Sequence, residues 1–524
     1  MAATIDDLLD KLCRWHLFIN LIAFLRGFPV TFNMMMPVFV APKKLDYSCT
    51  NSSTMWFNQS HTVGAKMLPS QCYYVPDANT SFNDTNELER CQSWTYDRSL
   101  YGHTVIEEWD VVCDQEWKLS LSQSLYLAGL MLGTIIAGHC SDWFGRRRTI
   151  LVGIIATAAT GIWTAFSTTF IMYNVARVAL AFAVSAFGDI TYALVMETVS
   201  PRFRYLPTIS VGMGWSLGML AVPGMAYIVK DWQALQLYVC VPLGVMFLVW
   251  IFLPESPRWQ LANGEYDAAR KNLMRLAKCN NSPKDVVEEV IENAQKKTGT
   301  PEDTRKGSFI DLFSTKRWAL TTSVFSFQLA VSSMVWYYLT VSTAAVGSSP
   351  FISFSVAAAS EIPVKFINML LIRFCPRRLA LFGTFSLITL VMIALIILPT
   401  GYPWAKLALL IVGKMCTSAN GSIFRVHISE VYPTVVRSVA LGVCITIGRV
   451  GTVIAPFFDD LSQITSPWMS KAITSALCLS CALATRLTHE TFNKMLQDNF
   501  DTNGQEAAQS ETCRSGSTGD AASS

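Results

Sequence analysis

Charge is scarce in this chain of 524 residues. Only 15% of them are charged while 51% are hydrophobic; an ordinary soluble domain carries about 25% charge. The shortage runs over most of the length, which excludes a soluble globular enzyme and points to a polytopic membrane protein. The net charge of +3 is small and leaves no basic footprint for nucleic acid. No Gly-x-x-x-x-Gly-Lys-Ser/Thr loop occurs, so a nucleotide-driven pump is not expected. His-Glu-x-x-His, a nucleophile elbow and zinc-ligand spacing are missing too, so an enzyme, a cofactor and a metal site are not expected. No cleavable leader precedes the first apolar run: residues 1–15 are polar and include Asp6, Asp7 and Asp10.

What the chain has instead is long apolar runs. A bilayer crossing takes roughly 20 apolar residues, and windows of that kind fall near 16–40, 120–140, 149–168, 171–195, 206–229 and 233–253. After a polar gap come 318–340, 349–372, 379–398, 405–428, 438–458 and 467–487. The expected fold is all-α, with twelve transmembrane helices in two pseudo-symmetric six-helix bundles, 16–253 and 318–487. Residues 1–15 form an N-terminal tail. The connector 254–317 carries Arg270, Lys271, Arg275, Glu288, Glu289 and Glu292 at helical spacing and reads as a solvated link with short surface helices. Residues 488–524 form a C-terminal tail, and 501–524, rich in Ser, Gly, Thr and Ala, have the composition of a disordered segment.

The two halves echo each other. Glu197 and Arg204 follow span 4 seven residues apart; Glu430 and Arg437 follow span 10 with the same spacing, 233 residues later. Arg147 and Arg378 lie 231 apart. A duplicated, charge-stapled membrane unit is the layout of many secondary transporters, whose substrate sites lie between the repeats. With twelve spans both termini share a side, and Arg146, Arg147, Arg148, the connector, Arg377, Arg378 and Arg437 fall on that side. The excess of Lys and Arg makes that side cytoplasmic; the plasma membrane is the expected location.

The loop 41–119 then lies outside. It holds Cys49, Cys72, Cys91 and Cys113, enough for two disulfides in any of three pairings. It also holds the glycosylation acceptors Asn51, Asn58, Asn79 and Asn83. The other ten of the 14 cysteines show no metal spacing and read as small apolar residues.

Gly138-His139-Cys140-Ser141-Asp142-Trp143-Phe144-Gly145-Arg146-Arg147-Arg148 follows span 2. Its glycines allow a tight turn and close helix approach, and Asp142 can accept from a neighbouring Arg, a staple that holds one closed state. This stretch resembles the signature loop of the major facilitator superfamily, with Trp143 in place of the usual Arg. The second copy, Ile372 to Arg378, has lost its Asp and has Pro376 for Gly, so stapling is expected mainly through the N-terminal half. Glu107-Glu108-Trp109-Asp110, Pro254-Glu255-Ser256-Pro257-Arg258-Trp259, Glu361-Ile362-Pro363 and Glu430 to Arg437 resemble the organic ion transporter family of that superfamily. So does the cysteine-bearing first loop. The resemblance runs from about residue 15 to 490 and implies carriage of organic cations, carnitine-like zwitterions or organic anions.

Charges inside spans are where selectivity is expected, since each costs roughly 3 kcal/mol at a helix centre on insertion scales. Arg449 lies among small residues in span 11, where the resemblance implies Asp in cation carriers and Arg in anion and carnitine carriers. Lys365 in span 8 matches a basic position of the anion carriers. Trp336, Tyr337 and Tyr338 in span 7 resemble their paired tyrosines, with an outer interfacial belt as the alternative. Glu361 is the expected partner if Arg449 is a structural ion pair, or of Lys365 one helical turn away. Arg26, Arg177, Asp189, Lys414 and Arg425 form a further intramembrane set, read as gating pairs or helix staples, with Arg26 also a substrate position. Lys414 and Arg425, eleven apart, share a face.

The sequence-level expectation is therefore a transporter of small organic anions working by alternating access and exchange. Arg449 and Lys365 would hold the negative group, with Tyr337, Tyr338 and Trp336 against the apolar part. A counter-transported dicarboxylate or a coupling cation would be a second partner, the lipid bilayer a third. Carnitine-like zwitterion and organic cation carriers are the near alternatives. A sugar porter, whose polar run in span 7 is reduced here to Gln328, and a non-transporting receptor are more distant ones.

Overall fold

The computed structural model describes residues 5–9, 13–42, 45–49, 61–63, 66–68, 72–74, 89–203, 205–280, 283–299, 309–347, 349–399 and 401–491. Arg204 and the acceptors Asn51, Asn58, Asn79 and Asn83 lie outside that set, as does the side chain of Cys49.

Among the described residues, ten helical segments are long and apolar enough to cross a membrane: Arg14–Val40, Cys113–Phe144, Arg146–Ala165, Phe170–Glu197, Tyr205–Ile228, Trp232–Phe252, Lys316–Ala344, Pro350–Phe374, Arg377–Ile397 and Pro403–Val431. Thr434–Ile454 with Phe457–Ile464, and Met469–Ala484, complete the twelve spans. Exposed Val152, Ile171, Leu390 and Ile397 form the apolar exterior that lipid requires, because a bilayer gives no water to satisfy polar groups. Several spans are broken where the sequence forces it. Span 8 divides at Ser360, three residues before Pro363, whose ring cannot accept the preceding helical hydrogen-bond pattern. Span 11 divides before Phe457, at Pro456.

Spans 3 and 4 pack at Gly153, where an added methyl would meet the Phe187 amide nitrogen at 2.6 Å. Small residues do this generally in membranes, where backbones associate by close van der Waals approach. Gly138 does not: space around it is open, so the expected close helix approach there is corrected.

The two halves repeat one polar device at the end opposite the large loop. In the first, Arg146 reaches Glu197 at 3.0 Å and Asp142 at 2.7 Å, while Glu255 accepts from the backbone N–H groups of Arg146 and Arg147 at 3.0 and 3.1 Å. Gly145, at φ +93°, makes room; a methyl there would lie 2.6 Å from the Glu255 carboxylate. Trp259 donates to the Asp142 carbonyl at 2.9 Å and Arg258 to that of Glu197 at 3.0 Å. In the second half Arg377 reaches Glu430 at 3.0 Å, and Glu490 accepts from the N–H groups of Arg377 and Arg378 at 3.0 Å. A carboxylate on the open N–H groups of a helix start also favours the helix dipole. Arg147 and Arg378 tie in the ends of spans 6 and 12 through the carbonyls of Ile251 and Arg486.

Four expectations change. Glu430 pairs with Arg377 rather than Arg437, which donates to the Tyr432 carbonyl at 3.4 Å. The second staple is intact despite its missing Asp, because Glu430 and Glu490 supply the carboxylates. Residues 488–491 therefore belong to the second bundle rather than to a tail. The connector also does more than link. Its helices Tyr266–Asn280 and Lys284–Gly299 bury Leu273, Leu276, Val287 and Ile291 against Leu8 and Leu9 of the N-terminal helix Ile5–Leu9.

The large loop is folded over the other end. Tyr47–Cys49 pairs with Trp94–Tyr96, and Tyr73–Tyr74 with Glu89–Arg90. Cys72 and Cys113 sit in disulfide geometry with Cα atoms 5.9 Å apart, and Cys91 is disulfide-bonded too. Trp109 inserts among Phe170, Tyr173 and Trp232, Glu107 binds Arg98, and Asp110 accepts from Tyr96 at 2.8 Å.

The cap on Arg377 and Arg378 makes a direct prediction. Ending the chain after Leu487, or replacing Glu490 by Gln, should lower the melting temperature of the detergent-purified protein as much as Glu255→Gln does. Each charge-assisted cap contributes about 1.5–3 kcal/mol. Ending it after Thr491 should not. Equal melting of all four proteins would remove the cap's structural role.

Candidate functional site between the two halves

Contacts between the halves gather at the large-loop end and at mid-depth. Phe39 of span 1 stacks on Phe351 at 5.3 Å and meets Phe354 edge-on. Ser120 of span 2 donates to Asp460 at 2.8 Å, and Trp215 of span 5 packs on Trp336 at 6.1 Å. At the opposite end, the ion pairs of the two staples each stay within one half.

Deeper in, the embedded charges sort into paired and unpaired ones. Arg449 does not pair with Glu361. It crosses to the other half, where Nη2 meets Asp189 of span 4 at 3.2 Å, Nη1 donates to the Leu130 carbonyl at 3.2 Å, and Thr134 is a further acceptor. Thr134 in turn donates to Asp189 at 2.6 Å. Arg26 lies beside this group, bonded to the Gly188 carbonyl, with its guanidinium over the Tyr192 ring at 5.4 Å.

Glu361, expected to pair with Arg449 or with Lys365, instead meets Lys414 at 3.4 Å, both side chains almost wholly buried. Lys414 also donates to the Ala357 carbonyl freed by the break in span 8, at 3.2 Å. The break before Pro363 therefore places a carbonyl and a carboxylate beside one buried lysine, which hydrogen-bonds the first and neutralises the second. Lys414 is a helix staple; Arg425, on the same face, is not. It is exposed, and among the described residues no carboxylate lies within ion-pair distance of it.

Lys365 is likewise without an ion pair among the described residues. Its stem reaches span 5, within 3.4 Å of the place a methyl on Gly212 would occupy. Glu361 lies within electrostatic reach of Lys365, as does Arg425, which also lies within reach of Tyr192. Five cations thus accompany two carboxylates, and three of the cations, Arg26, Lys365 and Arg425, have no ion pair among the described residues; Arg26 is held by the Gly188 carbonyl and lies within electrostatic reach of Asp189.

The aromatic residues of span 7 stand apart from this group. Tyr337 and Tyr338 are buried and line a cavity at the large-loop end, where neither Lys365 nor Arg449 appears. Tyr338 shares a hydrogen bond of 3.3 Å with Ser470, and Trp336 faces Trp215. Arg177 also lines that cavity, bonded to Gln123 at 3.0 Å. Burial pushes the phenol of Tyr101, on the same wall, up to about 12, so it stays a neutral hydroxyl at any physiological pH.

Sequence reasoning missed Glu490, Gln123 and Thr134. Glu490 carried a usable signal, standing just past the last span of its half as Glu255 does in the first. Gln123 and Thr134 carried none, since neutral polar residues in a span are common.

Comparison with known proteins fits this architecture. The family model for sugar (and other) transporters matches residues 56–498. The solved structure of the xylose transporter XylE from E. coli in a partially occluded inward-open conformation is similar in fold, with a TM-score of 0.60 at 13% identity, covering 92% of this chain and 100% of that one. The chain belongs to the sugar (and other) transporter family of the major facilitator superfamily, which is a family of transporters and not of enzymes. Among its relatives are the organic cation transporter protein of Drosophila melanogaster, 29% identical over 83% of this chain and 80% of that protein, and organic anion transporter 3 of Homo sapiens, 29% identical over 84% and 82%. Organic cation/carnitine transporter 2 of Mus musculus is 27% identical over 95% and 93%. These relatives place the chain in the organic ion transporter branch of the superfamily.

The bond between the halves yields a double-mutant test. Arg449→Ala strands Asp189 and should abolish uptake of whichever organic ion the chain carries. Adding Asp189→Ala should restore at least a tenth of the wild-type rate. No recovery in the double variant, with normal surface expression, would mean Arg449 acts on the substrate and not through Asp189.

Proposed function

We propose that this chain carries small organic anions across the plasma membrane by alternating access, in exchange for a second anion. Both termini would be cytoplasmic. The single observation behind the choice of anion is the pair Lys365 and Arg425, two cations between the halves with no carboxylate within ion-pair distance among the described residues. Lys365 is partly buried, and a cation withdrawn from water inside a membrane protein needs a counter-charge, which a carried carboxylate or sulfate supplies. Arg425 offers a two-pronged donor set and Lys365 a point charge.

Arg449 takes a different part from the one its sequence position implies. Its charge is already met by Asp189, so it serves as the mid-depth tie between the halves. That tie must open for the halves to rock. The signature loop and its counterpart, Asp142–Arg146–Glu197 and Arg377–Glu430, keep each half rigid while it moves. Trp336 against Trp215 would form part of the barrier above the bound anion.

A second reading rests on Asp189. Its side chain is 36% exposed, so a zwitterion of the carnitine kind could set its ammonium there and its carboxylate on Lys365.

Uptake in oocytes separates these readings. p-Aminohippurate should accumulate and tetraethylammonium should not, and Lys365→Ala and Arg425→Ala should each cut p-aminohippurate uptake at least tenfold at normal surface expression. Carnitine uptake lost with Asp189→Asn would favour the zwitterion. Tetraethylammonium uptake alone would overturn both.

A further inference from the structure

The cavity lined by Tyr337, Tyr338 and Arg177, of about 270 Å³, lies between the halves at the large-loop end. Its charged member is Arg177, which is 5% exposed and surrounded by neutral partners. Nη2 donates to Gln123 Oε1 at 3.0 Å and Nη1 to the Tyr173 hydroxyl at 3.3 Å. The guanidinium also lies over the Tyr126 ring at 4.7 Å. Among the described residues no carboxylate is within ion-pair distance; the one acid on the cavity wall, Asp46, enters on the segment from the large loop. A buried guanidinium held only by neutral groups keeps its whole charge in a medium that penalises it.

Other groups in the wall wait for a partner as well. Gln123 Nε2 and Ser122 Oγ, on residues 7% and 4% exposed, have none. The rest of the wall is aromatic and aliphatic: Phe170, Tyr101, Tyr337 and Val341 contribute to it. An unneutralised guanidinium, an amide N–H and a hydroxyl converging in an apolar slot are complementary to an anionic head on a flat apolar body.

We infer that the Arg177 cavity is a second anion-binding site, distinct from the Lys365 and Arg425 pair. It takes a small aromatic carboxylate: the carboxylate on Arg177 and Gln123 Nε2, the ring between Tyr101, Phe170 and Tyr337. Its part as a docking station before the central site rests on the transport reading above; the binding itself does not. The site is also built partly by the loop. Trp109 fixes Tyr173 at 5.1 Å between ring centroids, and Tyr173 fixes Arg177.

Equilibrium binding of labelled benzoate to the full-length chain in nanodiscs tests this. Wild type should bind two benzoates per chain and the Lys365→Ala/Arg425→Ala variant one. Adding Arg177→Gln should abolish the remaining one. Adding Val341→Trp instead, which fills the slot and leaves Arg177 in place, should weaken it at least tenfold. A Lys365→Ala/Arg425→Ala variant that binds no benzoate overturns the inference. So does residual binding indifferent to both Arg177→Gln and Val341→Trp. A wild-type protein that transports no organic anion but binds benzoate through Arg177 keeps this site and removes the transport reading.

Discussion

A charge inside a membrane has to be neutralised by the protein or by what the protein carries. In water an unpaired lysine costs nothing; between apolar helices it costs several kcal/mol. Everything specific about this transporter's interior follows from how each embedded charge is met. Lys414 and Glu361 meet each other and become structure. Arg449 and Asp189 meet across the two halves, and their tie must part for the halves to move. Lys365, Arg425 and Arg177 have no carboxylate within ion-pair distance among the described residues, and in our account they receive an anion.

The same rule explains the signature motifs at the connector end. Conformational change by rigid halves needs helix ends that do not fray. Glu255 and Glu490 hold the first N–H groups of spans 3 and 9, while Glu197 and Glu430 hold Arg146 and Arg377. These contacts stay within one half, so they survive rocking. The sequence motifs look unequal, Gly-Arg-Arg-Arg against Pro-Arg-Arg, yet the chemistry is equal because the carboxylates arrive from distant positions.

Much of this was legible in the sequence, and the reason differs by feature. The twelve spans follow from apolar run length, a local property. The duplication follows from Arg147 against Arg378 and Glu197 against Glu430, which preserve their offsets. Which carboxylate meets which cation was not legible. Glu361 and Lys365 are one helical turn apart, but the break before Pro363 turns Glu361 to Lys414 instead. Asp189 and Arg449 are 260 residues apart and meet only because the halves close on each other. Tyr337 and Tyr338 were grouped with Lys365 by their position in the family pattern, whereas helix rotation puts them on the wall of the Arg177 cavity.

The central claim is that the interior selects negative charge and exchanges it. Counterflow in proteoliposomes of the purified chain tests that most directly. Vesicles loaded with unlabelled p-aminohippurate should draw labelled p-aminohippurate in transiently above its outside concentration, and vesicles loaded with tetraethylammonium should draw in no labelled tetraethylammonium. Counterflow of tetraethylammonium without counterflow of p-aminohippurate would contradict the account.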